Sequence, residues 1–152
     1  MLSEIAFSLN GRATAVQVEP GRTLLDVLRN TLALKATRQG CGLGQCGACT
    51  VLLDERAVSS CDTPMWSVAG KEVTTLEGLG TPEAPHPLQR AFIEEQAMQC
   101  GYCTSGLLMA AAALLKRIPQ PSEDDIRQAL EGNLCRCGVH NRVVRAVRKA
   151  SA

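Results

Sequence analysis

Cys41-Gly42-Leu43-Gly44-Gln45-Cys46-Gly47-Ala48-Cys49, with Gly40 directly before it, interleaves four glycines with three cysteines. Neither a strand nor a helix tolerates glycine at that density, so residues 39–49 read as an irregular loop. Downstream, residues 50–53 and 57–60 flank Asp54-Glu55-Arg56 as a short β-hairpin, and Cys61 arrives at its far end. A loop and a returning strand thereby deliver four thiols to one place.

Before the loop, Ile5, Phe7 and Leu9 alternate with polar or small residues, Asn10-Gly11 supplies a tight turn, and Val16 and Val18 alternate in the next run. This predicts a β-hairpin. Past Pro20-Gly21, Thr23 can cap a helix with Asp26 three residues on, and Leu24, Leu25, Val27, Leu28 and Leu32 supply its buried face. Residues 71–75 read as a last edge strand. Gly78, Gly80, Pro82, Pro85 and Pro87 then form a turn-rich connector, which sets a domain boundary near residue 80. Beyond it the apolar period becomes helical, over residues 86–96, 104–117, 126–131 and 141–150, with Ser122 and Asp125 as a capping pair. The expectation is an α+β chain, with a sheet-bearing domain over 1–79 and a small helical bundle over 80–152.

Cys41, Cys46, Cys49 and the distant Cys61 follow the C-x4-C-x2-C…C spacing of a plant-type [2Fe-2S] cluster. A second set, Cys100, Cys103, Cys135 and Cys137, reads C-x2-C and then C-x-C. Structural zinc remains the alternative for four-cysteine sites. Two features favour iron: glycine N–H groups can turn inward on a negatively charged cluster, and C-x-C is unusual for zinc. In the second set, both cysteine pairs stand just before helix N-termini, where free N–H groups and the helix dipole favour thiolates.

Composition narrows the partners. With 16 Lys+Arg against 15 Asp+Glu the net charge is +1, and aromatics are 3% of the chain, which argues against nucleic acid. The start, Met1-Leu2-Ser3-Glu4-Ile5, lacks a basic and an apolar export region, and the longest apolar run, residues 107–115, is too short for a membrane span. No direct membrane insertion is expected. The location expected is cytoplasmic, with export of a folded complex on a partner's signal as the alternative. Eight cysteines in such a setting point to metal ligation over a disulfide framework.

Read in order, Cys41 through Val51, Gln99-Cys100-Gly101-Tyr102-Cys103 and Gly132-Asn133-Leu134-Cys135-Arg136-Cys137, with Thr75-Leu76-Glu77-Gly78-Leu79 between them, resemble the iron-sulfur subunit of the molybdenum hydroxylases. That is the xanthine dehydrogenase and aldehyde oxidoreductase family. The resemblance implies a ferredoxin-like β-grasp domain followed by a four-helix domain, each with one [2Fe-2S] cluster. It also implies a large partner subunit holding molybdopterin, in its cytosine dinucleotide form, where the substrate chemistry takes place. By the same resemblance the cluster of Cys100, Cys103, Cys135 and Cys137 lies nearer the molybdenum. Gln99 matches a position that hydrogen-bonds the pterin, and Cys137 matches the ligand closest to it.

Two departures refine the likeness. Ser105 stands where many relatives have proline, and Cys137-Gly138-Val139-His140 stands where many read Cys-Thr-Gly-Tyr. The latter, with Ala84-Pro85-His86-Pro87, is similar to the isoquinoline oxidoreductase and nicotinate dehydrogenase branch. There the implied substrate is an N-heteroaromatic compound and the electron acceptor is a cytochrome c subunit, with an FAD subunit as the alternative. An aldehyde-oxidising enzyme and a free-standing ferredoxin are the other readings. His86 and His140 read as helix-start or packing residues, Trp66 as packing over docking, and Arg142, Arg145, Arg148 and Lys149 as a solvated stripe. Arg136, between two candidate ligands, could raise a cluster potential or anchor a neighbouring subunit.

Overall fold

Asn10 and Gly11 both take positive φ, 51° and 77°, the requirement of the two-residue turn whose twist matches a hairpin. The turn joins β1 (Ser3–Leu9) to β2 (Arg12–Val18), paired from Ser3 against Val18 to Leu9 against Arg12. Alternation puts Ile5, Phe7, Leu9, Val16 and Val18 on the buried face. The computed structural model describes residues 1–152.

A second hairpin, β3 (Thr50–Leu53) and β4 (Arg56–Ser59), turns on Asp54 and Glu55, both with positive φ. Arg56 therefore belongs to the strand and not to the turn. The order of the five-stranded sheet is β2-β1-β5-β3-β4, with β5 at Glu72–Thr74. This corrects the expected edge strand: β5 is central, parallel to β1 and antiparallel to β3. Three residues are too few for periodicity to reveal two neighbours. The burial does reveal them, because Val73 is fully enclosed and its carbonyl accepts from Asn10 N–H at 2.9 Å.

Thr23 Oγ1 accepts from Asp26 N–H and caps α1 (Leu24–Asp26). That helix widens at once into a π-helical turn, Val27–Thr31, closed by Leu32 N–H donating to Val27 C=O. Leu24, Val27 and Leu28 pack on the sheet with Phe7, Val51 and Val73 in one apolar core.

After β5 the chain is helical: α2 (Leu76–Leu79), α3 (Pro87–Glu94), α4 (Thr104–Arg117), α5 (Glu123–Leu130) and α6 (His140–Ala150). A second core gathers Leu88, Phe92, Leu107, Ile126, Val143 and Val147. Helix α4 is buried on nearly every side, as expected of an element with neighbours all round. It packs on β3, α3 and α5, so it is the shared wall between sheet and helices. Its run Ala110-Ala111-Ala112 keeps the helix slim. The basic residues of α6 are exposed, and three of them make surface ion pairs: Arg145 with Glu95, Arg148 with Glu123, and Lys149 with Glu94 and Glu95. No helix is long and apolar enough to cross a membrane.

His86 opens α3. Its Nδ1 accepts from Leu88 N–H at 3.2 Å while Gln89 Oε1 accepts from His86 N–H at 2.9 Å, a reciprocal cap. Burial, then repulsion from Arg90 on α3 and Lys116 on α4, holds its pKa below the ordinary 6.5. The neutral ring is the capping form, so its stabilisation is complete above 6.5 and is lost as pH falls through the lower folded value. Thermal unfolding of the wild type is therefore expected to lose more stability between about pH 8 and about pH 5 than His86→Asn, whose cap does not titrate. Equal losses would show that this ring is not the acid-sensitive cap.

Candidate metal centres

The structure gathers the eight cysteines into two sets, and every one of them carries a free thiol. In the first, the backbone curls around sulfur. Leu43, Gln45 and Cys46 N–H groups point at Cys41 Sγ, each at 3.3 Å. Cys41 N–H points at Cys46 Sγ at 3.3 Å and Gly44 N–H at Cys61 Sγ at 3.2 Å. Gly42, Gly44 and Gly47 make the curl possible, with φ of 68°, 69° and 75°. Gly40 serves differently: a Cβ there would stand 2.6 Å from Cys46 Sγ.

These donors act on the thiols. Hydrogen bonds from Leu43, Gln45 and Cys46 N–H draw Cys41 down to about 6, whereas burial pushes Cys61 up to about 11 against the Gly44 N–H. Each set thus has a solvent-facing end that accepts negative charge and an inner end that resists it.

The second set is built from two turns before helices. Cys100 and Cys103 precede α4, and Cys135 and Cys137 precede α6, with Gly101 and Gly138 at φ of 80° and 82°. Tyr102 N–H lowers the exposed Cys100, and burial followed by Cys135 drives Cys103 up to about 12. Burial also opposes ionisation of Cys135, but N–H groups of Val139, Cys137 and Gly138 outweigh it and lower its pKa.

Within each set the thiols pair most closely as follows, and weaker charge interactions join Cys41 to Cys61, and Cys100 to Cys103 and Cys135. Cys41 meets Cys46 and Cys49 meets Cys61; Cys100 meets Cys137 and Cys103 meets Cys135. No three or more Cys, His, Asp or Glu side chains close on one position as a single ion requires. A binuclear iron-sulfur core needs the paired arrangement, since each tetrahedral iron takes two thiolates and two bridging sulfides. The donor set and its geometry fit such a core.

The two sets share a seam. Leu134 N–H, beside Cys135, donates to Cys46 C=O at 2.9 Å. The buried Asn133 Nδ2 donates to Gly47 C=O at 3.1 Å and reaches Thr50 Oγ1 at 3.3 Å, while Asn133 C=O lies 2.9 Å from His140 Nε2. Gly106 on α4 presses so closely that a Cβ would stand 2.1 Å from Gly47 C=O. Tyr102 OH donates to Gln39 C=O, and Arg38 lies over the Tyr102 ring.

Gln99 is exposed, and its Nε2 donates to Cys137 C=O at 3.3 Å, tying the two candidate inlet residues together. Arg136 is exposed between the ligand turns. Trp66 is 66% exposed, so it is not a core residue. Sequence reasoning missed the structural roles of Asn133, Gly106 and Tyr102. The only signal was their position within the cysteine motifs.

Two sequence families match: a 2Fe-2S iron-sulfur cluster binding domain over residues 7–76 and a [2Fe-2S] binding domain over residues 75–148. Among curated relatives, a nicotinate dehydrogenase subunit of Pseudomonas putida is 53% identical, over 99% of this chain and 96% of its own. The alpha subunit of isoquinoline 1-oxidoreductase from Brevundimonas diminuta is 52% identical, over 97% of each. Among solved structures, the aldehyde oxidoreductase of Desulfovibrio desulfuricans superposes with a TM-score of 0.95 at 45% identity, covering 98% of this chain and 17% of that one.

Asn133 is the seam's buried polar anchor. Asn133→Ala is expected to lower the unfolding free energy by about 0.5–1.5 kcal/mol, since it removes one donor from the Gly47 carbonyl, which keeps Thr50 N–H and Thr50 Oγ1. Denaturant titration of the purified chain checks this, and a change within error would show that the seam carries no stability.

Proposed function

Because this chain belongs to the family of iron-sulfur subunits of the molybdenum hydroxylases, we propose that its cysteines divide between two clusters and order the electron path. The chain is an electron-transfer component of a multisubunit oxidoreductase and carries two [2Fe-2S]-binding domains. We divide it near residue 80. A ferredoxin-like β-grasp unit covers 1–79 and a four-helix bundle covers 80–152; two apolar cores support a division, with Leu76 and Leu79 of α2 packing on the helical one.

Cys41 with Cys46, and Cys49 with Cys61, hold the irons of one cluster. Cys100 with Cys137, and Cys103 with Cys135, hold those of the other. The observation that carries this is the set of N–H donors converging on the sulfurs, with the thiols of each set in mutual reach. When bound, each cluster takes up and releases single electrons. The protein supplies the rest: thiolates in fixed pairs, N–H groups that offset their charge, and loops locked at one separation by the Leu134–Cys46 hydrogen bond.

The inlet is Gln99 and Cys137, facing a molybdopterin, in the cytosine dinucleotide form, on a large partner subunit. The outlet is the exposed Cys41 end of the first set. We assign an N-heteroaromatic substrate, supported by similarity to a nicotinate and an isoquinoline enzyme. A cytochrome c subunit is the acceptor in this reading, with an FAD subunit as the alternative. The likeness to an aldehyde oxidoreductase structure favours a second reading, aldehyde oxidation. The complex works in the cytoplasm, or beyond it after export in folded form.

Purification of the native complex with metal, flavin and haem analysis tests the assignment. Broad visible bands and two [2Fe-2S] equivalents per chain are expected, together with molybdenum and haem. Zinc in place of iron would falsify the cluster reading, and stoichiometric FAD with NAD-dependent turnover would displace the cytochrome. Turnover of pyridine-type carboxylates against aldehydes separates the two substrate readings. For the ligand sets, Gly40→Ala is expected to weaken the EPR signal of one cluster and spare the other. Cys137→Ala is expected to slow reduction of the outlet cluster by substrate, and a normal rate would refute the inlet assignment.

A further inference from the structure

Thr104 Oγ1 and Ser105 Oγ are the only buried side-chain polar atoms in the chain without a hydrogen-bond partner. Their residues are 8% and 6% exposed, and they are adjacent in sequence. An unpaired buried hydroxyl is costly, and native structures keep few of them. In a helix, serine and threonine ordinarily relieve themselves by donating to the carbonyl four residues back. Neither hydroxyl does so here.

Their place in the fold indicates what they serve. Both stand in the first turn of α4, directly after Cys103, on a helix of 14 residues. A Cα–Cβ bond in a helix tilts toward the N-terminus, so a side chain covers the turn before its own Cα. For Thr104 and Ser105 that turn is Cys100-Gly101-Tyr102-Cys103, which carries two of the thiols. The first N–H groups of the helix also lack intrahelical acceptors and point the same way. Two orphaned hydroxyls thus head the helix that leaves the Cys100–Cys103 turn, and neither reaches a cysteine Sγ.

We propose that Thr104 Oγ1 and Ser105 Oγ donate hydrogen bonds to the inorganic sulfur of the [2Fe-2S] cluster held by Cys100, Cys103, Cys135 and Cys137, and so raise its reduction potential. This rests on the cluster assignment above. The reduced cluster carries the additional negative charge, so donors aimed at its sulfur favour reduction.

EPR-monitored redox titration of the assembled complex tests the proposal, with wild type, Thr104→Ser and the double variant Thr104→Val/Ser105→Ala. Two distinct [2Fe-2S] signals in the wild type are the premise, and their absence overturns the cluster assignment itself. The signal altered by Cys135→Ser identifies the second cluster. With both signals present, the double variant is expected to lower that cluster's midpoint potential and leave the other unchanged. Thr104→Ser, which keeps a hydroxyl, is expected to match the wild type. An unchanged potential in the double variant overturns the proposal. So does an equal fall at both clusters, which reports loosened packing along the Gly106 seam.

Discussion

The carbonyls of Cys46 and Gly47 are the constraint on which the rest of the structure depends. Each is taken by a residue from the turn that carries the other cysteine set: Cys46 by Leu134 N–H, and Gly47 by the Asn133 side chain. Neither apolar core spans this boundary, since one is built on the sheet and the other among the helices. The relation between the sets is therefore fixed by α4 packed on β3 and, beside it, by these directional bonds and by glycine. A side chain at Gly47 would run into Asn133, and one at Gly106 would run into Gly47. Electron transfer falls steeply with separation, so a seam held at backbone contact does more for an electron carrier than a thicker apolar interface could.

Charge explains the shape of both loops. A cluster with four thiolates is negative, and burying it needs dipoles that cost nothing to reorient. The first loop provides them by turning successive N–H groups onto Cys41, Cys46 and Cys61. The second provides them from the turns ahead of α4 and α6, whose own first-turn N–H groups add to the effect. The contrast between Cys41 near 6 and Cys103 near 12 follows from solvent access and donor number. Donors favour the thiolate of Cys41, and burial opposes that of Cys103.

Much of the fold was legible in the chain. The Asn10-Gly11 turn, the alternation on either side of it, the Thr23 cap, the Ser122 cap and the helical period after residue 86 all have local causes, and local causes leave local marks. What was not legible was non-local. Strand β5 occupies the centre of the sheet through pairings with β1 and β3, and three residues carry no pattern that says so. The π-helical turn after Asp26 was invisible for a related reason: its apolar residues satisfy helical spacing, and the widening is imposed by docking on the sheet. The basic residues of α6 are solvated as expected, but their surface pairs with Glu94, Glu95 and Glu123 were not legible because those partners are distant in the chain.

The same divide runs through the metal centres. Cysteine spacing and glycine density are one-dimensional marks of a wrapped cluster, and they located all eight thiols that the structure brings together. Asn133, Gly106 and Tyr102 have no such mark. Each acts on an atom that is 86, 59 or 63 residues away in the chain. Asn133 is the clearest case. An asparagine before a cysteine motif reads as turn chemistry, yet it is 6% exposed and donates into the opposite half of the molecule. A buried amide is tolerated only where its bonds are made. Those bonds reach Gly47 and Thr50, so the turn of the second set is held against the first loop and β3.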